Sequence, residues 1–225
     1  MLVLHKIPQI LFNHSIGEGY YCTGFSCAEM AKQSKPGQFL MLRIADQTWE
    51  GKLSRPFSIS NIKDHIIEIV FETVGSNTRN LANAEKGKTL SVIGPLGNGF
   101  EIDHKAQVHL LVAGGIGVAP MPYLAVKILQ ECPHSKVIVL FGVRAKSKLL
   151  LTEFFKEYKI ELKVSSEEFD SKKEPKGFWI SFRLHANDQN PDIGTEHTLK
   201  VKGSASHTDT ESKPPPEEEP TCLAC

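Results

Sequence analysis

The sequence predicts two unlike modules in one chain, an N-terminal antiparallel β-barrel over residues 1–103 and a C-terminal α/β domain with a parallel sheet over residues 104–202. Three observations carry that expectation. Up to about residue 100, short apolar runs (38–44, 57–60, 66–74 and 89–94) are separated by turn residues such as Pro36-Gly37, at the spacing of a small antiparallel barrel or sandwich. From near residue 104 the pattern changes to apolar runs at 108–113 and 136–141 with helical spacing at 119–131 between them, followed by a helix over 147–158 and a strand at 160–164. Strand, helix, strand, helix, strand implies a parallel sheet with helices on its faces. Finally, residues 203–220 hold no large apolar side chain, so 203–225 reads as a polar, disordered tail.

Composition narrows the function classes. The 225 residues are 40% hydrophobic, and 26 Lys and Arg balance 26 Asp and Glu. A formal net charge of zero gives no field favouring nucleic acid or an anionic membrane. Residues 1–11 interrupt their apolar side chains with His5, Lys6 and Pro8, which fits neither a signal peptide nor a membrane span. A soluble, cytoplasmic protein is expected. Five cysteines, with Cys22, Cys27 and Cys132 lying singly in core-like segments, argue against a disulfide framework. Cys222 and Cys225 alone have a metal-type spacing.

Within the first module, Arg55-Pro56-Phe57-Ser58-Ile59-Ser60 places a guanidinium fork, a fixed backbone angle, an aromatic face and hydroxyls in one strand-like run. These groups suit a flavin nucleotide, and they suit equally an edge strand with Phe57 and Ile59 turned into a core. A short helix over 78–84, capped by Ser76 or Asn77, offers its first amides to an anion. Gly94-Pro95-Leu96-Gly97-Asn98-Gly99-Phe100 closes the module with glycine-dependent turns. In the second module, Gly114-Gly115-Ile116-Gly117-Val118-Ala119-Pro120 follows a strand and precedes a helix, where glycines let a nucleotide phosphate approach the backbone. Pro120 suits the first helical turn, and Arg144 ends the next strand, within reach of a phosphate or ribose.

Taken in order, Pro36-Gly37-Gln38-Phe39, the run Arg55–Ser60, Gly75-Ser76-Asn77-Thr78, the segment Gly94–Phe100 and the turn Gly114–Pro120 resemble the ferredoxin-NADP reductase superfamily. Within it they look like the electron-transfer subunits of NAD-dependent (class B) dihydroorotate dehydrogenases, over roughly residues 1–165. The resemblance implies FAD on the barrel, NAD(P) on the second module and electron transfer between a dihydroorotate dehydrogenase catalytic subunit and NAD, in pyrimidine biosynthesis. Carried over by position, Arg55 pairs with the FAD pyrophosphate and Pro56 sits beside it. Phe57 lies against the flavin and Ser58 near its hydride-accepting nitrogen, as the catalytic residue. Asn77 and Thr78 complete the phosphate grip, while Gly114, Gly115, Gly117, Pro120 and Arg144 meet the nicotinamide nucleotide. The chain departs from that pattern in four places. Asn77 stands for a glycine, Glu72 stands for a basic residue, and Ile193-Gly194-Thr195-Glu196 replaces a Cys-Gly-Pro segment. Cys222 and Cys225 match two of four cysteines that hold a 2Fe-2S cluster, with Glu217 near the first position. Two other readings stay open, a free-standing NAD(P)H reductase serving a ferredoxin-like acceptor and a non-catalytic relic.

Overall fold

The computed structural model describes residues 3–45 and 53–166 in full and the backbone of residues 178–182 and 197–201. Residues 193–196 and the tail 203–225, including Glu217, Cys222 and Cys225, lie outside the described residues.

Seven antiparallel strands form the first sheet: β1 (Leu4–Lys6), β2 (Ile10–Gly17), β3 (Tyr20–Ser26), β4 (Phe39–Ile44), β5 (Arg55–Lys63), β6 (Ile66–Glu72) and β7 (Leu90–Leu96). Their order is β1-β7-β4-β5-β6-β3-β2. Period-two burial sets the inner face, most plainly in β4, where Leu40, Leu42 and Ile44 are buried and Phe39, Met41 and Arg43 are not. Phe57 and Ile59 of β5 and Ile67, Ile69 and Phe71 of β6 join the same core. The barrel expected from the sequence is barrel-like rather than closed, because β1 and β2 are the two edges and do not pair with each other. The N-terminal stretch instead crosses from one edge to the other. Leu90 donates its amide to Pro8 O (2.8 Å) and Ile10 donates to Lys88 O (2.9 Å) on either side of an isolated Gln9–Thr89 bridge. Pro8, with no amide hydrogen, interrupts the ladder at that corner.

Strands β1 to β3 and the six-residue helix α1 (Ala28–Gln33) were not marked by the sequence pattern. β2 is half-exposed along its length, so its alternation carries little apolar contrast, and α1 is too short for a 3.6-residue period to show. The helix expected at 78–84 is α2 (Ser76–Ala82), two residues earlier.

The second sheet is parallel, in the order β10-β9-β8, from β8 (Val108–Gly114), β9 (Lys136–Val143) and β10 (Glu161–Ser166). Helix α3 (Met121–Glu131) follows β8, and α4 (Thr152–Glu157) precedes β10. Only part of the helix expected over 147–158 forms. A 3-10 turn covers Lys146–Lys148, Leu149 is extended, and Leu151 has φ +60°, so the helical ladder restarts at Thr152.

Both sheets belong to the larger of two compact units, which ends at Ser166. Helix α3 packs on β5, and Tyr123 of α3 enters the antiparallel core, where its hydroxyl donates to Ser34 O at 2.9 Å. In the other direction Tyr20 of β3 packs with Leu111, Val139 and Phe141 of the parallel sheet. In the second unit the described residues are the antiparallel pair β11 (Phe178–Phe182) and β12 (His197–Val201). The sequence pattern marked the first of these at 178–184 and missed the second.

Candidate functional site

A shallow crevice with about 10 Å³ of water-accessible space is lined by Leu42, Arg43, Leu53, Arg55, Phe57, Asn77 and Leu81. Register explains how two distant motifs meet there. β4 pairs with β5 so that Leu42 faces Arg55, which puts the start of β5 at the end of β4, and α2 lays Asn77 and Leu81 along the same end. Arg55 and Phe57, two residues apart, share one face of β5. Arg55 is exposed and has no ion-pair or hydrogen-bond partner among the described residues. Phe57 is 7% exposed and packs edge-on against Phe71, with centroids 5.5 Å apart, so it serves the core and the crevice wall together.

The remaining members of these two motifs sit differently. Pro56 is exposed beside Arg55, and Ser58, on the face of β5 opposite Phe57, does not line the crevice. Thr78 holds the turn into α2. Its Oγ1 accepts from Val74 N (3.0 Å) and Gly75 N (3.1 Å) and donates to Gly75 O (3.1 Å). Asn77 Nδ2 approaches Leu53 O at 3.4 Å, whereas its Oδ1 is buried without a partner. Glu72, the departure from a basic residue, faces Lys148 Nζ at 3.8 Å.

The glycines of the 94–100 segment answer to packing. An added Cβ at Gly97, whose φ is +79°, would lie 3.0 Å from the Phe39 ring, and one at Gly37, φ +88°, would lie 2.7 Å from the Phe100 ring. Gln38 ties the two segments together, accepting from Lys35 N at 2.8 Å and donating from Nε2 to Gly97 O at 2.9 Å. The motifs Pro36–Phe39 and Gly94–Phe100 therefore form one interlocked corner.

At the C-terminal edge of the parallel sheet, Gly114 pairs with Gly142, and Arg144 follows two residues later, exposed. Gly115 has φ +52°, and a Cβ built on Gly114 or Gly115 meets nothing within 4 Å. The backbone is thus bare where a phosphate would approach, outside the carboxyl ends of parallel strands. Gly117 lies in the 3-10 turn Gly115–Val118, and Pro120 is the capping residue immediately before α3. Pro122 takes the first-turn position there.

The model of the oxidoreductase NAD-binding domain matches residues 111–181. Among curated relatives, electron-transfer subunits of dihydroorotate dehydrogenase B (NAD(+)) from Clostridium acetobutylicum and Caldanaerobacter subterraneus are 40% and 34% identical, over 60% and 63% of this chain. The alignments cover 51% and 53% of those proteins. A homologue of that subunit from Thermotoga maritima is 32% identical over 72% of this chain and 56% of its own length. The chain spans about half the length of the curated relatives it matches. Among solved structures, the NADH-dependent reduced ferredoxin-NADP oxidoreductase superposes with TM-score 0.61 at 29% identity, covering 71% of this chain and 56% of the other. Phthalate dioxygenase reductase shares the fold, with TM-score 0.60 at 16% identity over 77% of this chain and 54% of its own. The likeness to the ferredoxin-NADP reductase superfamily holds in sequence and in fold.

Within that reductase-like fold, the crevice at Arg55 lies on the antiparallel sheet and the bare turn at Gly114 on the parallel one. Sequence reasoning missed Arg43 and Leu53 on the crevice wall. Arg43 reads as an ordinary outward residue of β4, and only the β4–β5 register brings it near Arg55; its Nη1 donates to Ile44 O (3.3 Å) and Ala45 O (3.1 Å). Cys22 and Cys132 are buried, and Cys27 is partly so. Burial, with a smaller contribution from Glu68, pushes the Cys22 thiol up to about 12, as expected of a core cysteine. Among the described residues no group of three or more His, Cys, Asp or Glu is placed to hold a metal ion, and no helix is long and apolar enough to cross a membrane.

Proposed function

We propose that this chain is a flavoprotein electron-transfer component that binds FAD on the antiparallel module, residues 1–103, and NAD(P) on the parallel module, residues 104–202. The observation that carries the reading is the meeting of Arg55 and Asn77, from two separate motifs, on one crevice. An exposed guanidinium with no partner among the described residues is a ready pyrophosphate fork. Pro56 fixes the backbone beside it, Phe57 supplies an apolar wall, and Thr78 holds the α2 turn that carries Asn77. On the second module, Gly114, Gly115, Gly117 and Pro120 offer a bare backbone turn, with Arg144 at the adjoining strand end. Ser58 is assigned the position nearest the reacting ring. When bound, the flavin supplies the redox chemistry, and the protein supplies binding, orientation and electrostatics. By analogy with the relatives, the electron donor is a dihydroorotate dehydrogenase catalytic subunit in a heteromer. No step is assigned to a 2Fe-2S cluster, since Cys222 and Cys225 provide two thiolates where such a cluster takes four ligands.

Reconstitution tests this directly. The purified chain is expected to take up FAD stoichiometrically and show the two visible bands of an oxidised flavin, and NADH is expected to bleach them. Arg55→Ala should weaken FAD binding roughly 10- to 100-fold, the value of a charge-assisted hydrogen bond, with far-UV circular dichroism unchanged. A chain that remains colourless, or an Arg55→Ala variant with undiminished affinity, overturns the reading.

A further inference from the structure

We infer that Lys148 is a positioning residue for the nicotinamide nucleotide. Held by Glu72 and Tyr20 of the antiparallel module, it fixes the connection 144–151 that begins at Arg144, so that nucleotide binding on one sheet depends on a contact made with the other. The inference rests on the reading of Arg144 and the Gly114 turn given above.

The connection leaves β9 at Val143 and reaches α4 only at Thr152. Its own backbone ladder is slight. Lys148 donates its amide to Ala145 O at 3.0 Å and Leu149 to Lys146 O at 3.1 Å, which closes one 3-10 turn, and Leu151 then takes φ +60°. A stretch with so little ladder takes its place from what its side chains touch. Leu150 is 1% exposed, and a Cβ built on Gly17 of β2 would come within 3.3 Å of its Cδ2. Leu151 packs against the cluster that Cys22 of β3 and Val70 of β6 form with Ala119. These apolar contacts press the connection onto the antiparallel sheet without fixing its setting along it, because hydrophobic contact is non-directional.

Lys148 supplies a directional contact. Tyr20 and Glu72 face each other across β3 and β6, and Lys148 meets both. Its Nζ lies 3.8 Å from Glu72 Oε1 and 5.0 Å from the centre of the Tyr20 ring. A carboxylate and a ring face both attract one ammonium group, and together they define its position more closely than either alone. The identity of residue 72 fits this pairing. Glu72 departs from a pattern that carries a basic residue there, and a second cation at that place would repel Lys148. The two side chains are 37% and 34% exposed, so their attraction adds little to global stability. Its consequence is local. Arg144 stands exposed four residues before Lys148, at the strand end beside the glycine turn, and freeing Lys148 loosens the segment that Arg144 opens.

The test uses the FAD-loaded chain and tetrahydro-NADH, a nicotinamide analogue that holds its hydride, so its dissociation constant reads binding alone. Lys148→Met is expected to weaken the analogue about 3- to 10-fold and Glu72→Gln about 2- to 5-fold. The double variant should lose no more than Lys148→Met, the non-additivity of a shared contact. The exchanged pair, Glu72→Lys with Lys148→Glu, should recover much of the loss, while FAD affinity stays unchanged throughout. With no nucleotide present, trypsin should cut Glu72→Gln faster than wild type after Arg144, Lys146 and Lys148, because a held connection resists the protease. A lysine that touched the nucleotide itself would behave otherwise: Glu72→Gln would bind the analogue as tightly as wild type or more so, and the exchange would recover nothing. Either of those results overturns the inference, as does faster cleavage of Glu72→Gln with unchanged analogue affinity. Wild type that takes up FAD but never binds the analogue is a different result. It removes the NAD(P) reading, and this inference falls with it.

Discussion

At the scale of single residues, the large unit places several polar groups under constraint, and His109 on β8 is a histidine whose surroundings give it a pH signature. Its Nε2 is buried without a partner among the described residues, and burial lowers its proton affinity from the usual 6.5. Asp103 opposes that effect, while His134 and His104 reinforce it. The native state therefore binds fewer protons at this position than the unfolded chain. Stability from His109 is complete above pH 6.5, falls as pH drops below that value, and levels off below the depressed native pKa. Melting temperatures measured between pH 7.5 and 5 are expected to fall more steeply for wild type than for His109→Gln. Parallel curves would show that the ring is not held neutral by its surroundings. The same residue-level view separates the cysteines. Cys22, whose thiol is pushed up to about 12, is a packing residue beside Val70 and Ala119 rather than a redox group.

At the scale of elements, the β5–β6 hairpin shows what sequence patterns conceal. Asp64 (φ +49°) and His65 (φ +68°) form its two-residue turn, and two positive φ values are the mark of a type I′ turn, whose preferred residues are Asn-Gly. Each non-glycine residue held left-handed costs on the order of 1 kcal/mol. Asp64→Asn with His65→Gly should stabilise the protein by about 1 kcal/mol in urea denaturation with an unchanged slope; a loss of stability would mean that the Asp64 or His65 side chain contributes more than its backbone angle costs. The turn was legible only as a break between apolar runs, because Asp64-His65 is not the usual dipeptide for its geometry. β4 was legible because one face of it is buried, and β8 and β9 because they are near-continuous apolar runs of a parallel sheet. β2 escaped notice because it is half-exposed, and α4 was overextended because Leu151 adopts a left-handed angle that its residue type does not announce. The crevice was legible in its anchors, Arg55 and Asn77, through the ordered motifs. Arg43 and Leu53 were not, since a register between strands, rather than a spacing along the chain, brings them in.

At the scale of the whole molecule, the question is whether the two sheets unfold separately at a boundary near residue 103. The packing argues that they do not. Tyr123, carried by the parallel module, is buried in the antiparallel core, and its hydroxyl donates to Ser34 O deep in the joint. Tyr20, carried by the antiparallel module, is 3% exposed within the parallel core. Fully burying side chains of this size is worth about 1.5–3 kcal/mol each, and melting either sheet alone would forfeit one such contribution from each side while leaving Ser34 O unpaired. Cooperative units follow contacts of this kind more closely than they follow sequence composition. Two probes on the intact chain read the sheets independently: release of FAD reports the crevice at Arg55, and thiol labelling of Cys132, fully buried against α3 and the parallel sheet, reports the other core. With labelling read at Cys132 by peptide mass, so that Cys22, Cys27, Cys222 and Cys225 do not contribute, both signals are expected to share one melting temperature. Cys132 labelling that precedes FAD release by more than a few degrees would show that the modules are thermodynamically separate and that Tyr20 and Tyr123 do not couple them.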